Sequence, residues 1–243
     1  MRIRHYLLLG AVALILIGSF FLPNAVAGVT DLRKIDNLIL IDSQSISFDF
    51  APELSTPERL ALAASPNTER LPVITGNSLD EEAAGKRAAR ELIRFFRGSQ
   101  FVLEYNDLYV AGGYAALIID AAVPALNMIV WEFDVSDPDG NTVTVTIDDE
   151  TGIIVRLIYI QSRSGLLGET ETFRTSDARF FTAARNLTEM MSAYYGITVE
   201  LADYQFSGSL SYYRADINHG EQVIPMYGVV RATNFTMNER MYS

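Results

Sequence analysis

Residues 131–160 read WEFDVSDPDGNTVTVTIDDETGIIVRLIYI, and this stretch decides the fold. Trp131, Phe133 and Val135 alternate with Glu132, Asp134 and Ser136, and Val143, Val145 and Ile147 alternate with Thr142, Thr144 and Thr146. A period of two is the mark of strands with one apolar and one polar face. Asp137-Pro138-Asp139-Gly140 and Asp148-Asp149-Glu150-Thr151-Gly152 are turns by residue chemistry. Ile153–Ile160 returns as a third strand, which makes an antiparallel meander with one buried face.

The pattern continues outward in both directions. Upstream, Ser78-Leu79-Asp80-Glu81 reads as a capping box opening a helix to Phe96, closed by Gly98. Gly85, Ala88, Ala89, Leu92 and Phe96 share one side of it, while Lys86, Arg87, Arg90, Arg94 and Arg97 crowd the other as a solvated face. Thr56-Pro57-Glu58 starts a shorter helix to about Ala64. Ser65–Asn77, with Pro66, Pro72 and Gly76, reads as a loop. Val29–Leu54 reads as one or two strands. Phe101–Val110 and Tyr114–Asp120 read as strands joined at Gly112-Gly113, before a loop at Ala121–Asn127.

Downstream, Gln161–Thr175 is polar and reads as an internal boundary. A helix with Phe180, Ala184, Leu187, Met191 and Tyr194 on one face follows, ending at Gly196. Strands are expected at Ile197–Phe206, Ser209–Ile217 and Glu221–Arg231, with Asn218-His219-Gly220 as a hairpin turn. Pro225 places the last of these at an edge or a bulge. The expected architecture is α+β: an N-terminal membrane helix or signal, then two helix-plus-antiparallel-sheet units. The domains are 1–27 as anchor or signal, 28–165 as the first α+β domain and 166–243 as the second.

Arg2, Arg4 and His5 precede an apolar run, Tyr6–Leu22. A basic start before such a run is an export signal with its positive end in the cytoplasm. Its length of about 17 residues lies between a signal core and a spanning helix. Ala25-Val26-Ala27 fits a cleavage site, so two outcomes stand: a single-pass anchor with the rest extracytoplasmic, or secretion after cleavage following Ala27. All 30 acidic residues lie at or after Asp31, and only Arg2 and Arg4 of the 19 basic ones precede it. The remaining 17 basic against 30 acidic residues give that part a charge of −13. Such a balance disfavours nucleic acid and anionic lipid as partners. The chain has no cysteine, which removes thiol chemistry, disulfides and thiolate metal sites.

The Trp-started strand 131–135, the Asp139-Gly140 turn, the strand Val143–Ile147 and the Asp148–Ile154 turn into the last strand, after the helix Leu79–Phe96, resemble the PepSY-like domains of bacterial envelope proteins. The match covers Ser78–Ile160, and the whole layout is similar to membrane-anchored proteins of Firmicutes. The resemblance implies a cystatin-like α+β fold and a non-catalytic, inhibitory or binding role. It brings no catalytic residues.

A search for chemistry assigns no catalytic, cofactor-binding or metal residue and no cofactor. Downstream of the export segment the one histidine is His219, in a turn, so no Ser-His-Asp or His-rich zinc site is available within one chain. Asp134, Asp137, Asp139, Asp148 and Asp149 surround one hairpin, but with Gly140 as the loop glycine the first and last calcium ligands fall on Val135 and Thr146, so the EF-hand pattern fails. Glu132 and Asp134 share a strand face, the minimum for a carboxylate hydrolase. Gly112-Gly113 and Gly165-Leu166-Leu167-Gly168 lack the lysine and spacing of a phosphate loop. Tyr204, Phe206, Tyr212, Tyr213 and Tyr227 cluster in the last strands as packing or as a groove. The expected function is binding or regulation in the cell envelope, with an envelope protein or peptide as partner and the membrane reached through the N-terminal helix. The alternatives are a carboxylate-based envelope hydrolase and a structural subunit of a membrane complex. Protease added to intact protoplasts is expected to digest the part beyond Gly28; full protection reverses this topology.

Overall fold

The threonine–aliphatic alternation of 142–147 fixes where the core lies. In the computed structural model, which describes residues 54–99, 107–162, 177–208, 210–220, 222–231 and 233–238, Val143, Val145 and Ile147 are fully buried. All these residues belong to the compact unit Asp49–Ser243. The elements in chain order are α1 (Thr56–Ala64), β1 (Thr68–Val73), α2 (Glu81–Phe96), β2 (Tyr109–Asp120), β3 (Asn127–Ser136), β4 (Thr142–Asp148), β5 (Ile154–Ile160), α3 (Asp177–Tyr195), β6 (Val199–Ser207), β7 (Leu210–His219), β8 (Gln222–Arg231) and β9 (Asn234–Met237).

The meander is present as expected, but the two separate helix-plus-sheet units are not. Among the described residues all nine strands form one antiparallel sheet in the order β1-β2-β3-β4-β5-β9-β8-β7-β6. The correction comes from β9, a four-residue strand that pairs Leu157–Ile160 of β5 on one side and Val230 of β8 on the other. The sequence repeats one element order, a helix and then strands, but β9 is too short to show a period of its own.

The register defines a continuous row, apolar except for one serine. Val135, Val143, Tyr159, Phe235, Val230, Ser211 and Phe206 stand opposite one another from β3 to β6. Both long helices lie on that face. Phe96 of α2 packs against Tyr159 and Phe235, and Phe180 of α3 against Phe206. The helices meet through the edge-to-face pair Phe95–Tyr194. Two glycines permit close approach: a Cβ on Gly113 would lie 2.1 Å from the Phe133 ring, and one on Gly228 would lie 2.4 Å from the Tyr213 ring. Gly112-Gly113 is therefore a bulge inside one strand, β2, rather than a joint between two. Residues 101–106 lie outside the described residues, as do Val29–Glu53 and 163–176, so the strands read at Val29–Leu54, the first part of Phe101–Val110 and most of the boundary Gln161–Thr175 fall there.

Local signals are shifted at several points. Ser65–Asn77 is not all loop: Thr68–Val73 pairs with Ala115–Asp120 as edge strand β1, where Pro72 is tolerated because its nitrogen needs no partner. The helix cap of α2 is Asp80, whose carboxylate accepts the Ala83 N–H at 2.8 Å, and not Ser78. Ser55, rather than Thr56, caps α1, with Glu58 accepting its N–H and hydroxyl at 2.7 and 2.6 Å. Pro225 stands opposite Asp216 in β8, beyond the reach of β9, so that part of β8 is an edge among the described residues.

A bulge in β5 leaves the Ile154 backbone to side chains. Its N–H donates to Tyr194 Oη at 3.0 Å, and its carbonyl accepts from Tyr195 Oη at 2.7 Å. Burial raises both phenols above their ordinary pKa, which keeps them protonated as donors. Tyr194 passes its own proton bond to buried Glu91 of α2 at 2.7 Å. α1 packs on β2, β5 and β8. It is tied to the β5–β9 seam by Asn238, whose amide donates to the carbonyls of Leu60 and Val155 at 3.0 and 2.7 Å.

Trp131 is buried, stacks on Phe133 at 6.1 Å and faces α2 with its strand. Trp131→Ala is expected to lower the unfolding free energy by about 3–5 kcal/mol in chemical denaturation. A loss below about 1 kcal/mol would contradict this packing.

Candidate functional site

The acids that crowd the meander turns are spent on the scaffold. Asp149 Oδ2 accepts the N–H groups of Asn77 and Ser78 at 2.8 and 2.7 Å, and its Oδ1 accepts Leu79 N–H at 3.1 Å and Trp131 Nε1–H at 2.8 Å. Asp148 Oδ2 accepts Thr151 N–H and Oγ1–H at 2.7 and 2.6 Å, while its Oδ1 pairs with Arg59 Nη1 at 2.6 Å in a buried bridge. Arg59 also pairs with Glu150 and donates Nε–H to the Leu54 carbonyl at 2.9 Å. Asp137 closes its own turn by accepting from Asn141 N–H and Nδ2–H at 2.9 and 2.7 Å, and Asn141 Oδ1 takes Ser162 N–H at 3.0 Å. The Asp139 carbonyl accepts Ser162 Oγ–H at 2.6 Å. Among the described residues no cluster of three or more His, Cys, Asp or Glu is disposed to hold a metal.

The face opposite the helices carries a different kind of group. Tyr114, Glu132, Thr146 and Arg156 stand opposite one another on β2, β3, β4 and β5. The Glu132 carboxylate accepts Tyr114 Oη–H at 2.6 Å, Thr146 Oγ1–H at 3.2 Å and the Arg70 guanidinium of β1 at 3.3 Å. The neighbouring row holds Asp134, which accepts Thr144 Oγ1–H at 2.7 Å. Burial works against ionisation of Glu132, but the Tyr114 bond, Arg70, Arg156 and Thr146 outweigh it and hold the carboxyl below its usual range. Burial and the Glu132 bond together push the Tyr114 phenol up.

The direction of the Glu132 shift is opposite to that of a catalytic acid. A glycoside hydrolase needs one carboxyl raised to act as an acid, whereas Glu132 is shifted the other way and Asp134 is bonded to Thr144. The tyrosine cluster of the last strands is split between the two faces. Tyr204 and Phe206 contact α3, and Tyr213 donates to the Thr236 carbonyl at 2.8 Å. Tyr212 and Tyr227 alternate with Tyr213 and Gly228 onto the Glu132 side. His219 is exposed at the end of β7, paired in register with Gln222. Gly165–Gly168 lies outside the described residues.

Arg70, Tyr114 and Arg156 were not singled out from the sequence. Arg70 lies in a stretch read as loop, and the Glu132–Thr146 pairing follows from the hairpin register but had no partner chemistry to mark it.

Because the folded-state pKa of Glu132 is depressed, the ionised carboxylate stabilises the fold above the unfolded value of about 4.3, and this contribution is lost as pH falls through the lower folded value. Glu132→Gln is therefore expected to lower stability at pH 6 and to flatten the acid limb of a stability–pH curve below about 4.3. An unchanged acid limb would contradict the network.

The chain matches no family model, no curated protein and no solved structure.

Proposed function

We propose that the chain is a non-catalytic binding or regulatory protein of the bacterial cell envelope, working outside the cytoplasmic membrane through the sheet face opposite α2 and α3. The observation that carries this reading is the exposure of that face. Tyr109, Tyr114 and Tyr212 are 69%, 52% and 50% exposed there, with Ile160 at 46%, around the Arg70–Glu132–Arg156 group. Exposed tyrosines beside fixed charges are the usual chemistry of protein recognition, since they give contact area at low entropy cost and end in a polar group. The partner is a protein or peptide of the envelope. No helix among the described residues is long and apolar enough to cross a membrane. Membrane attachment thus rests on the segment Tyr6–Leu22, outside the described residues.

The two sheet edges favour the face over strand addition. β1 carries Pro72, and β6 is interrupted by a bulge between Leu201 and Asp203 and bears Glu200 and Asp203. Proline, bulges and charges all discourage a further strand.

A photo-crosslinking residue placed at Tyr114 or at Tyr212 in intact cells is expected to capture the same envelope protein from both positions. The same residue at Glu189, on the exposed side of α3, is expected to miss it. Identical products from all three positions would overturn the assignment of the face. Turnover of a peptidoglycan, ester or phosphate substrate that disappears in Glu132→Gln would instead establish the hydrolase.

A further inference from the structure

A groove of about 370 Å³ runs between α1, the β2–β3 hairpin and the start of β8. Leu54, Leu62, Leu126 and Ile224 give it an apolar wall. Its charged walls are Glu58 and Asp120, and its other lining residues carry no charge. Three other grooves each have arginine in their walls: Arg87 and Arg90 in one, Arg59 in the second, Arg94 and Arg97 in the third. This one has no basic wall among the described residues.

Each of the two acids is bonded through one oxygen. Glu58 Oε2 accepts the Ser55 N–H and hydroxyl, and Asp120 Oδ1 accepts the N–H groups of Ala122 and Val123 at 2.8 and 2.9 Å. Glu58 Oε1 and Asp120 Oδ2 take no hydrogen bond from the described residues. The Ser55 bonds hold the Glu58 carboxyl below its ordinary range, which keeps it charged at neutral pH. Two basic side chains act on Glu58 from nearby. One is Arg59, already paired with Asp148 and Glu150; the other is His219, at the exposed end of β7. The apolar wall continues beyond the groove. Residues 121–126, Ala-Ala-Val-Pro-Ala-Leu, are all exposed, and so is Val223 next to Ile224. Apolar surface of this kind, rimmed by polar groups, marks a contact site.

We infer that this groove docks a basic, partly apolar peptide segment of a partner protein, with apolar side chains on Leu62, Leu126 and Ile224 and a lysine or arginine on the free oxygens of Glu58 and Asp120. Charge complementarity selects the base, because every ionised wall of the groove is an acid. The excess of 30 acidic over 19 basic residues draws a cation toward the whole surface, and the apolar wall fixes where it stays. A metal ion or a polyamine would leave Val123, Leu126 and Val223 uncovered. Nucleic acid and anionic lipid are repelled by both carboxylates.

The inference is independent of the sheet-face reading, and its test separates the two. The full-length chain in non-ionic detergent micelles is titrated against a short fluorescein-labelled peptide of alternating Lys and Leu, read by anisotropy against a blank of micelles alone. Binding is expected to weaken at least tenfold in Glu58→Gln/Asp120→Asn, whose amide oxygens keep the Ser55, Ala122 and Val123 bonds, and at least fivefold in Leu126→Ser. It is expected to stay within twofold of the parent in Tyr114→Ala/Tyr212→Ala. The same holds for Glu82→Gln/Glu189→Gln, which removes equal charge from exposed positions on α2 and α3. Thermal melts of the variants are expected to match the parent. The inference is overturned if a Gln-for-Lys or a Ser-for-Leu peptide binds equally, or if the groove double variant changes affinity less than twofold. An equal loss in the α2–α3 pair also overturns it. Tighter binding in Arg33→Ser/Lys34→Ser would give the groove to this chain's own upstream segment, and a sedimenting dimer that Leu126→Ser dissociates would give it to a second copy; either result overturns the inference.

Discussion

The Asp149 carboxylate, with its four N–H donors, is the junction from which the first half of the fold is hung. It holds the three successive backbone amides that lead into α2, and it holds the indole of Trp131 beneath that helix. A buried carboxylate is costly unless its lone pairs are filled, and filled it is worth more than neutral bonds. The turn thus specifies both where α2 begins and which strand it covers. A Cβ on Gly76 would lie 1.9 Å from Asp149 Oδ1, so the chain just before those amides must be glycine to come this close. Next to it, Asp148 repeats the arrangement toward α1 through Arg59. Two adjacent acids in one turn therefore fasten two different helices.

These roles explain why the fold was only partly legible. The meander, α2 and α3 follow from periodicity because their apolar residues meet the core at regular steps. β1 was hidden because Pro66, Pro72 and Gly76 outweigh six residues of edge strand, and edges make few demands on side chains. β9 was hidden because four residues cannot display an alternation, yet its Phe235 completes the apolar row between Tyr159 and Val230. Without that strand the same elements suggest two sheets; with it there is one. The difference lies in a pairing far apart in sequence, which local pattern does not record.

The candidate site was legible in its components and not in its grouping. Glu132 and Asp134 were recognised as sharing a face, and the threonines of β4 as polar. The partners that set the character of Glu132 arrive from β1, β2 and β5, and it is the register that brings them together. The acids of the turns do not fit a calcium loop by spacing, and the carboxylates of Asp137, Asp148 and Asp149 are occupied by backbone and side-chain amides, a hydroxyl, an arginine and an indole.

The β5–β9 seam has a consequence for how the chain reaches this structure as it is synthesised from its N-terminus. Ile160 pairs with Thr142 of β4 on one side, but its other edge finds Asn234 only when that residue has emerged, because among the described residues β9 joins the two arrays of strands. Until then β5 and β8 each present an unpaired backbone edge flanked by large apolar residues, the combination most prone to join a neighbouring chain. The interval between synthesis of Ile160 and of Asn234 is thus one in which that edge of β5 stands open to such joining.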